Sequence, residues 1–97
     1  MKTVTVNVNR EHINRGHRRS CVDCPIALAV NEQLKAYPSA LVVNGTISFG
    51  YQGFMYLRKQ SKAVNDFIRQ FDNAYTDAQV ENLKPLTLRF RVKEQAA

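Results

Sequence analysis

The chain has 97 residues, 44% of them apolar and 23% charged. A chain of that length buries roughly 60–70% of its unfolded surface as one domain, which excludes a disordered tail. Fourteen Lys and Arg against eight Asp and Glu leave a net charge of +6, a balance that suits an anionic partner.

No apolar run approaches the ~18–20 residues of a membrane span. The start Met1-Lys2-Thr3-Val4-Thr5-Val6 alternates and lacks the apolar block of a secretory signal. The expectation is a cytoplasmic protein with no membrane contact, in which Cys21 and Cys24 stay reduced.

Residues 3–8 place Val4, Val6 and Val8 on one side and Thr3, Thr5 and Asn7 on the other, the period of a half-buried strand. Residues 9–16 read as a helical turn capped by Asn9 and stopped by Gly16, followed by the basic loop His17-Arg18-Arg19-Ser20. Asp23 or Cys24 caps a firmer helix that opens at Pro25, where a missing N–H costs nothing. Its stripe runs Ile26, Val30, Leu34 and Tyr37, and Pro38 ends it.

Leu41-Val42-Val43, Asn44-Gly45 and Thr46-Ile47-Ser48-Phe49 spell a hairpin, because both central residues of such a turn need positive φ. A second turn near Gln52-Gly53 extends it through Phe54–Leu57 into a meander. Ser61 then caps a helix whose stripe is Val64, Phe67, Ile68, Phe71 and Tyr75. Residues 76–84 read as a loop or frayed turn in which Thr76 and Gln79 form a short capping box. The last strand turns Leu86, Leu88, Phe90 and Val92 inward, with Thr87, Arg89, Arg91 and Lys93 outward.

The order β-α-βββ-α-β predicts an α+β domain over residues 1–97: a single, mostly antiparallel sheet with two helices on one face and the other face wet. Residues 94–97 are expected as a loose tail.

His12, His17, Cys21 and Cys24 are the ligand-like constellation. Two Cys and two His would close a structural zinc site. The alternative is that both thiols pack as small apolar groups at a helix start while the imidazoles stay in water. A redox role needs a thiol made acidic by the helix terminus and by Arg18 and Arg19, but the Cys-x-x-Cys does not directly follow a strand. A thiol–imidazole pair of Cys24 with His12 or His17 lacks a third, orienting group. With no nucleophile elbow and no Gly-rich phosphate loop, an enzyme is not expected.

Glu11-His12-Ile13-x-x-Gly16, Cys21-x-x-Cys24-Pro25-Ile26-Ala27-x-Ala29 and Phe67-Ile68-x-x-Phe71-Asp72 resemble a group of small phage- and prophage-encoded proteins without an assigned activity. The resemblance implies a viral or mobile-element origin, within a host cytoplasm, and carries no site residue across. Phe49-Gly50-Tyr51-Gln52-Gly53-Phe54-Met55-Tyr56 is similar to the aromatic strand of an RNA-recognition motif. It departs by one inserted residue, and a first strand of Thr and Asn replaces that family's aromatics. A tight turn flanked by core residues accounts for it better.

The function expected is non-catalytic binding of nucleic acid, with Arg10, Arg15, Arg18, Arg19, Arg89 and Arg91 as phosphate contacts. The alternative is an inhibitor or adaptor that binds a host protein, for example a host-defence component. An exposed apolar patch would favour that alternative.

Overall fold

The computed structural model describes residues 1–93, so the tail expected at 94–97 lies outside the described residues. Along the chain come β1 (Lys2–Val8), α1 (Arg10–Arg15), α2 (Pro25–Leu34), β2 (Leu41–Val43), β3 (Thr46–Tyr51), β4 (Phe54–Lys59), α3 (Lys62–Asp72), α4 (Asp77–Glu81) and β5 (Leu86–Val92). The mixed α and β content and the antiparallel pairing follow the expectation. The single sheet does not.

Instead β1 pairs with β5, and β2, β3 and β4 form a separate meander. The break falls between the edges of β4 and β5, where side chains replace a backbone ladder. Arg58 donates to Leu57 O at 3.1 Å and to Arg91 O at 2.8 Å, and Lys93 N–H donates to Tyr56 Oη at 3.0 Å. Phe49 joins the two sheets beneath this seam, its ring 5.5 Å from Tyr56 and 5.0 Å from Phe90.

Alternation decides which face each sheet buries. Val6, Val8, Leu88, Phe90 and Val92 are buried, while Thr3, Thr5, Asn7, Thr87, Arg89 and Arg91 are exposed. The register sets Thr3 opposite Arg91, Thr5 opposite Arg89 and Asn7 opposite Thr87. The buried faces share one apolar cluster with Ile26, Ala27, Ala29 and Val30 of α2 and with Val64, Phe67 and Phe71 of α3.

Both long helices start as their sequences dictate. Cys24 is the N-cap of α2, and Pro25 occupies its first turn. Ser61 Oγ accepts from Val64 N–H at 3.3 Å to cap α3. Both end earlier than their apolar stripes suggest. Lys35 turns left-handed at φ 50° and leaves Tyr37 87% exposed. Asn73 closes α3 and leaves Tyr75 outside the helix, 64% exposed. The capping box of Thr76 and Gln79 does form, and it opens α4.

The hairpin turns have the positive φ values that their sequences require: 49° and 77° at Asn44 and Gly45, and 50° and 84° at Gln52 and Gly53. Gly50 serves a different need. It exchanges hydrogen bonds with the segment after α2, Gly50 N–H to Pro38 O at 2.9 Å and Tyr37 N–H to Gly50 O at 3.0 Å. The backbones come so close that a Cβ at Gly50 would sit 2.0 Å from Tyr37 O.

Candidate nucleic-acid interface

The four zinc-type residues do not converge. No group of three or more His, Cys, Asp or Glu is placed to hold a metal among the described residues. His12 is buried, only 1% exposed. Its Nδ1 accepts from Asn9 N–H at 2.9 Å, which puts the ring proton on Nε2, 3.3 Å from Glu32 Oε1. Both ring nitrogens are therefore engaged. That hydrogen bond and the Arg15 guanidinium hold the Glu32 carboxyl below its ordinary range.

Cys21 is exposed and Cys24 is buried. Cys24 Sγ accepts from Ala27 N–H at 3.5 Å, yet burial outweighs this contact and pushes the thiol up rather than down. The expected acidification by the helix terminus loses to desolvation.

The arginines expected as one patch around residues 10–19 are mostly engaged by other groups of the fold, although Arg15, Arg18 and Arg19 remain exposed. Arg10 lies across the end of α4 and donates to the carbonyls of Val80 at 3.0 Å, Glu81 at 3.3 Å and Leu83, at the end where a helix leaves carbonyls without intrahelical partners. Arg15 pairs with Glu11 at 3.6 Å and with Glu32 at 3.1 Å. Arg18 donates to Ala74 O, and its guanidinium stands 5.1 Å from the centre of the Tyr75 ring. Arg19 reaches Tyr75 Oη at 2.7 Å, while its backbone N–H is held by Asp72 at 2.8 Å. The first patch is thus in large part a clasp that fastens the α1–α2 connection to the ends of α3 and α4.

Arg89 and Arg91 are placed differently. Both stand exposed on the outer face of β5, beside the hydroxyls of Thr3 and Thr5 across the register. None of the five strands contains Asp or Glu, and their charged residues are Lys2, Arg58, Lys59, Arg89 and Arg91. Those last four cations form no salt bridge with a carboxylate among the described residues. They also line one groove of about 330 Å³ between β5 and the β4–α3 junction.

Arg58 and Lys59 were not among the expected contacts. The signal that points to them is the absence of acidic residues from every strand segment. In the aromatic stretch Phe49 and Tyr56 are buried in the core, and Tyr51 and Phe54 flank the Gln52-Gly53 turn, with Phe54 exposed.

The outer face of the meander has another character. Leu41, Val43, Met55 and Leu57 are exposed there, the last at 69%, around the small Thr46 and Ser48. No described helix is long and apolar enough to cross a membrane. No protein-family model, curated protein or solved structure matches the chain, so its function rests on its own geometry.

Proposed function

We propose that this chain is a non-catalytic binding protein of phage type whose strand-borne basic face meets nucleic acid. The observation that carries the reading is the segregation of charge. Among the described residues, Asp and Glu keep to helices and loops, while the strands hold only Lys2, Arg58, Lys59, Arg89 and Arg91 as charged residues. Phosphate contacts need cations that no internal carboxylate already neutralises. Arg89 and Arg91 meet that condition, with threonine hydroxyls beside them as further phosphate donors. Of the other four, Arg15 fails it through Glu11 and Glu32, while the guanidinium groups of Arg10, Arg18 and Arg19 keep their charge but are tied to carbonyls and to Tyr75.

Anisotropy titrations with single-stranded and duplex oligonucleotides test the reading. Binding at about 50 mM salt that weakens linearly in log salt is the expected result. A folded protein that ignores DNA and RNA under those conditions overturns it.

A second reading has its own observation. Leu41, Val43, Met55 and Leu57 give the meander a largely apolar outer face, with Lys59 at its end opposite Thr46, a feature that marks protein-binding surfaces. It favours an inhibitor or adaptor that docks on an apolar surface of a host protein. A pull-down with and without nuclease, repeated with Leu57→Asp, separates the two. Capture that survives nuclease and is lost in Leu57→Asp belongs to the meander, whereas capture abolished by nuclease belongs to the basic face.

A further inference from the structure

The two strand edges bordering the small sheet are treated differently by the fold. On β1, the Gln33 side-chain amide takes both backbone groups of Asn7, accepting from its N–H at 2.8 Å and donating to its carbonyl at 2.7 Å. It imitates a neighbouring strand and closes that edge at Asn7.

The same contact fixes the orientation of the backbone. In an antiparallel pair, alternate residues point both N–H and C=O towards the partner strand, and those between point both away. Asn7 points away from β5, so Thr3 and Thr5 do too, and the residues opposite them, Arg89 and Arg91, together with Thr87, point away from β1. Arg58 confirms this from the other side by donating to Arg91 O, as does Tyr56 by accepting from Lys93 N–H.

Arg91 and Lys93 are therefore closed by side chains. Thr87 and Arg89 are not paired to another strand on that side, because β4 and β5 do not pair. Their edge opens into the groove of about 330 Å³ that Lys59, Gln60, Ser61 and Val64 also line. Gln60 adds a donor in want of an acceptor. Its Nε2 is sealed from solvent and has no partner among the described residues.

We propose that this groove takes an extended, acidic peptide segment of a protein partner, added antiparallel to β5 as a further strand. The backbone groups of Thr87 and Arg89 form the new ladder, the usual basis of strand addition. Partner residues opposite Thr87 and Arg89 share the outer face with the guanidinium groups of Arg89 and Arg91 and with Lys59, which selects carboxylates. Partner residues opposite Leu88 and Phe90 turn inward beside Val64, which selects small apolar side chains. The motif is an acidic–apolar alternation. A carbonyl oxygen of the segment satisfies Gln60 once its side chain turns out into the groove.

The site goes beyond nucleic-acid binding, because it depends on backbone groups that phosphates do not read in alternation. The experiment is a titration of isotope-labelled protein with the capped peptide Glu-Val-Glu-Val-Glu at up to millimolar concentration. Binding that slows amide exchange at Thr87 and Arg89, while Val4, Val6 and Val8 keep theirs, is expected. The same peptide N-methylated at its glutamates loses the donors facing β5 and binds on the order of tenfold more weakly. Glutamine in place of glutamate weakens binding as well.

No binding, binding without protection of Thr87 and Arg89, or equal affinity for the N-methylated peptide each overturns the proposal. A protein that binds oligonucleotides but not this peptide keeps the nucleic-acid reading and loses the strand-addition site. The reverse result does the opposite.

Discussion

Arginine is the residue that divides this molecule into structural and available charge. Arg10 is half-buried and spends its guanidinium on the carbonyls ending α4. Arg10→Ala leaves those acceptors without a charged donor and should cost about 1–3 kcal/mol in denaturant unfolding. Arg89→Ala, on an exposed strand face, should stay within about 0.5 kcal/mol of the parent. Equal effects at the two positions would show that Arg10 does not hold α4.

Glu32 extends the contrast to pH. His12 first and Arg15 second depress its folded pKa, so its contribution is fully present above the unfolded value of about 4.3. It is lost as pH falls through the lower folded value. The urea midpoint should therefore drop on acidification below about pH 4, and less steeply in Glu32→Gln. Parallel profiles for the two proteins would remove Glu32 from the acid response.

At the scale of elements, Gly50 is where the meander and the segment after α2 are locked together. The atom nearest an added Cβ is the Tyr37 backbone oxygen, at 2.0 Å, and a backbone group cannot swing aside as a flexible side chain can. Gly50→Ala should cost about 1–3 kcal/mol or more, the scale of an overpacked core. An unchanged melting midpoint would mean that the segment is free to move off β3.

Elements whose signals are local were legible in the sequence. Valines at every second position gave β1, Asn44-Gly45 gave the first hairpin, and Thr76 with Gln79 gave the start of α4. What escaped depends on contacts between distant parts of the chain. The separation into two sheets turns on Arg58 meeting the backbone of Arg91, and the occupation of Arg10 and Arg18 turns on carbonyls near residues 74–83. Helical spacing continues to Tyr37 and Tyr75, past the point where Lys35 and Asn73 stop each helix. In the candidate site, Arg89 and Arg91 were readable from strand alternation. The clasp formed by Arg18 and Arg19 was not.

For the whole molecule, the question is which cations a polyanion displaces counterions to reach. Each neutralised phosphate contributes a slope of about −0.9 in log affinity against log salt on duplex DNA and about −0.7 on single strands. If the face of β5 is the interface, replacing Arg89 and Arg91 together by Ala removes two such contacts. The slope should then flatten by about 1.8 on duplex or 1.4 on single strands, and affinity should fall by a similar factor for every sequence. Folding stability should hardly change, since both side chains are exposed and make no salt bridge among the described residues. Replacing Arg18 and Arg19 together should give the opposite pattern. Their bonds to Ala74 and Tyr75 fasten the loop before α2 to the end of α3, so the unfolding midpoint should fall while the salt slope of the folded fraction keeps its value. The pair of variants thus separates a phosphate contact from a structural clasp by two measurements on each protein. A flattened slope with unchanged stability in the Arg18 and Arg19 variant would move the interface to the loop before α2, and an unaffected slope in the Arg89 and Arg91 variant would remove β5 from it.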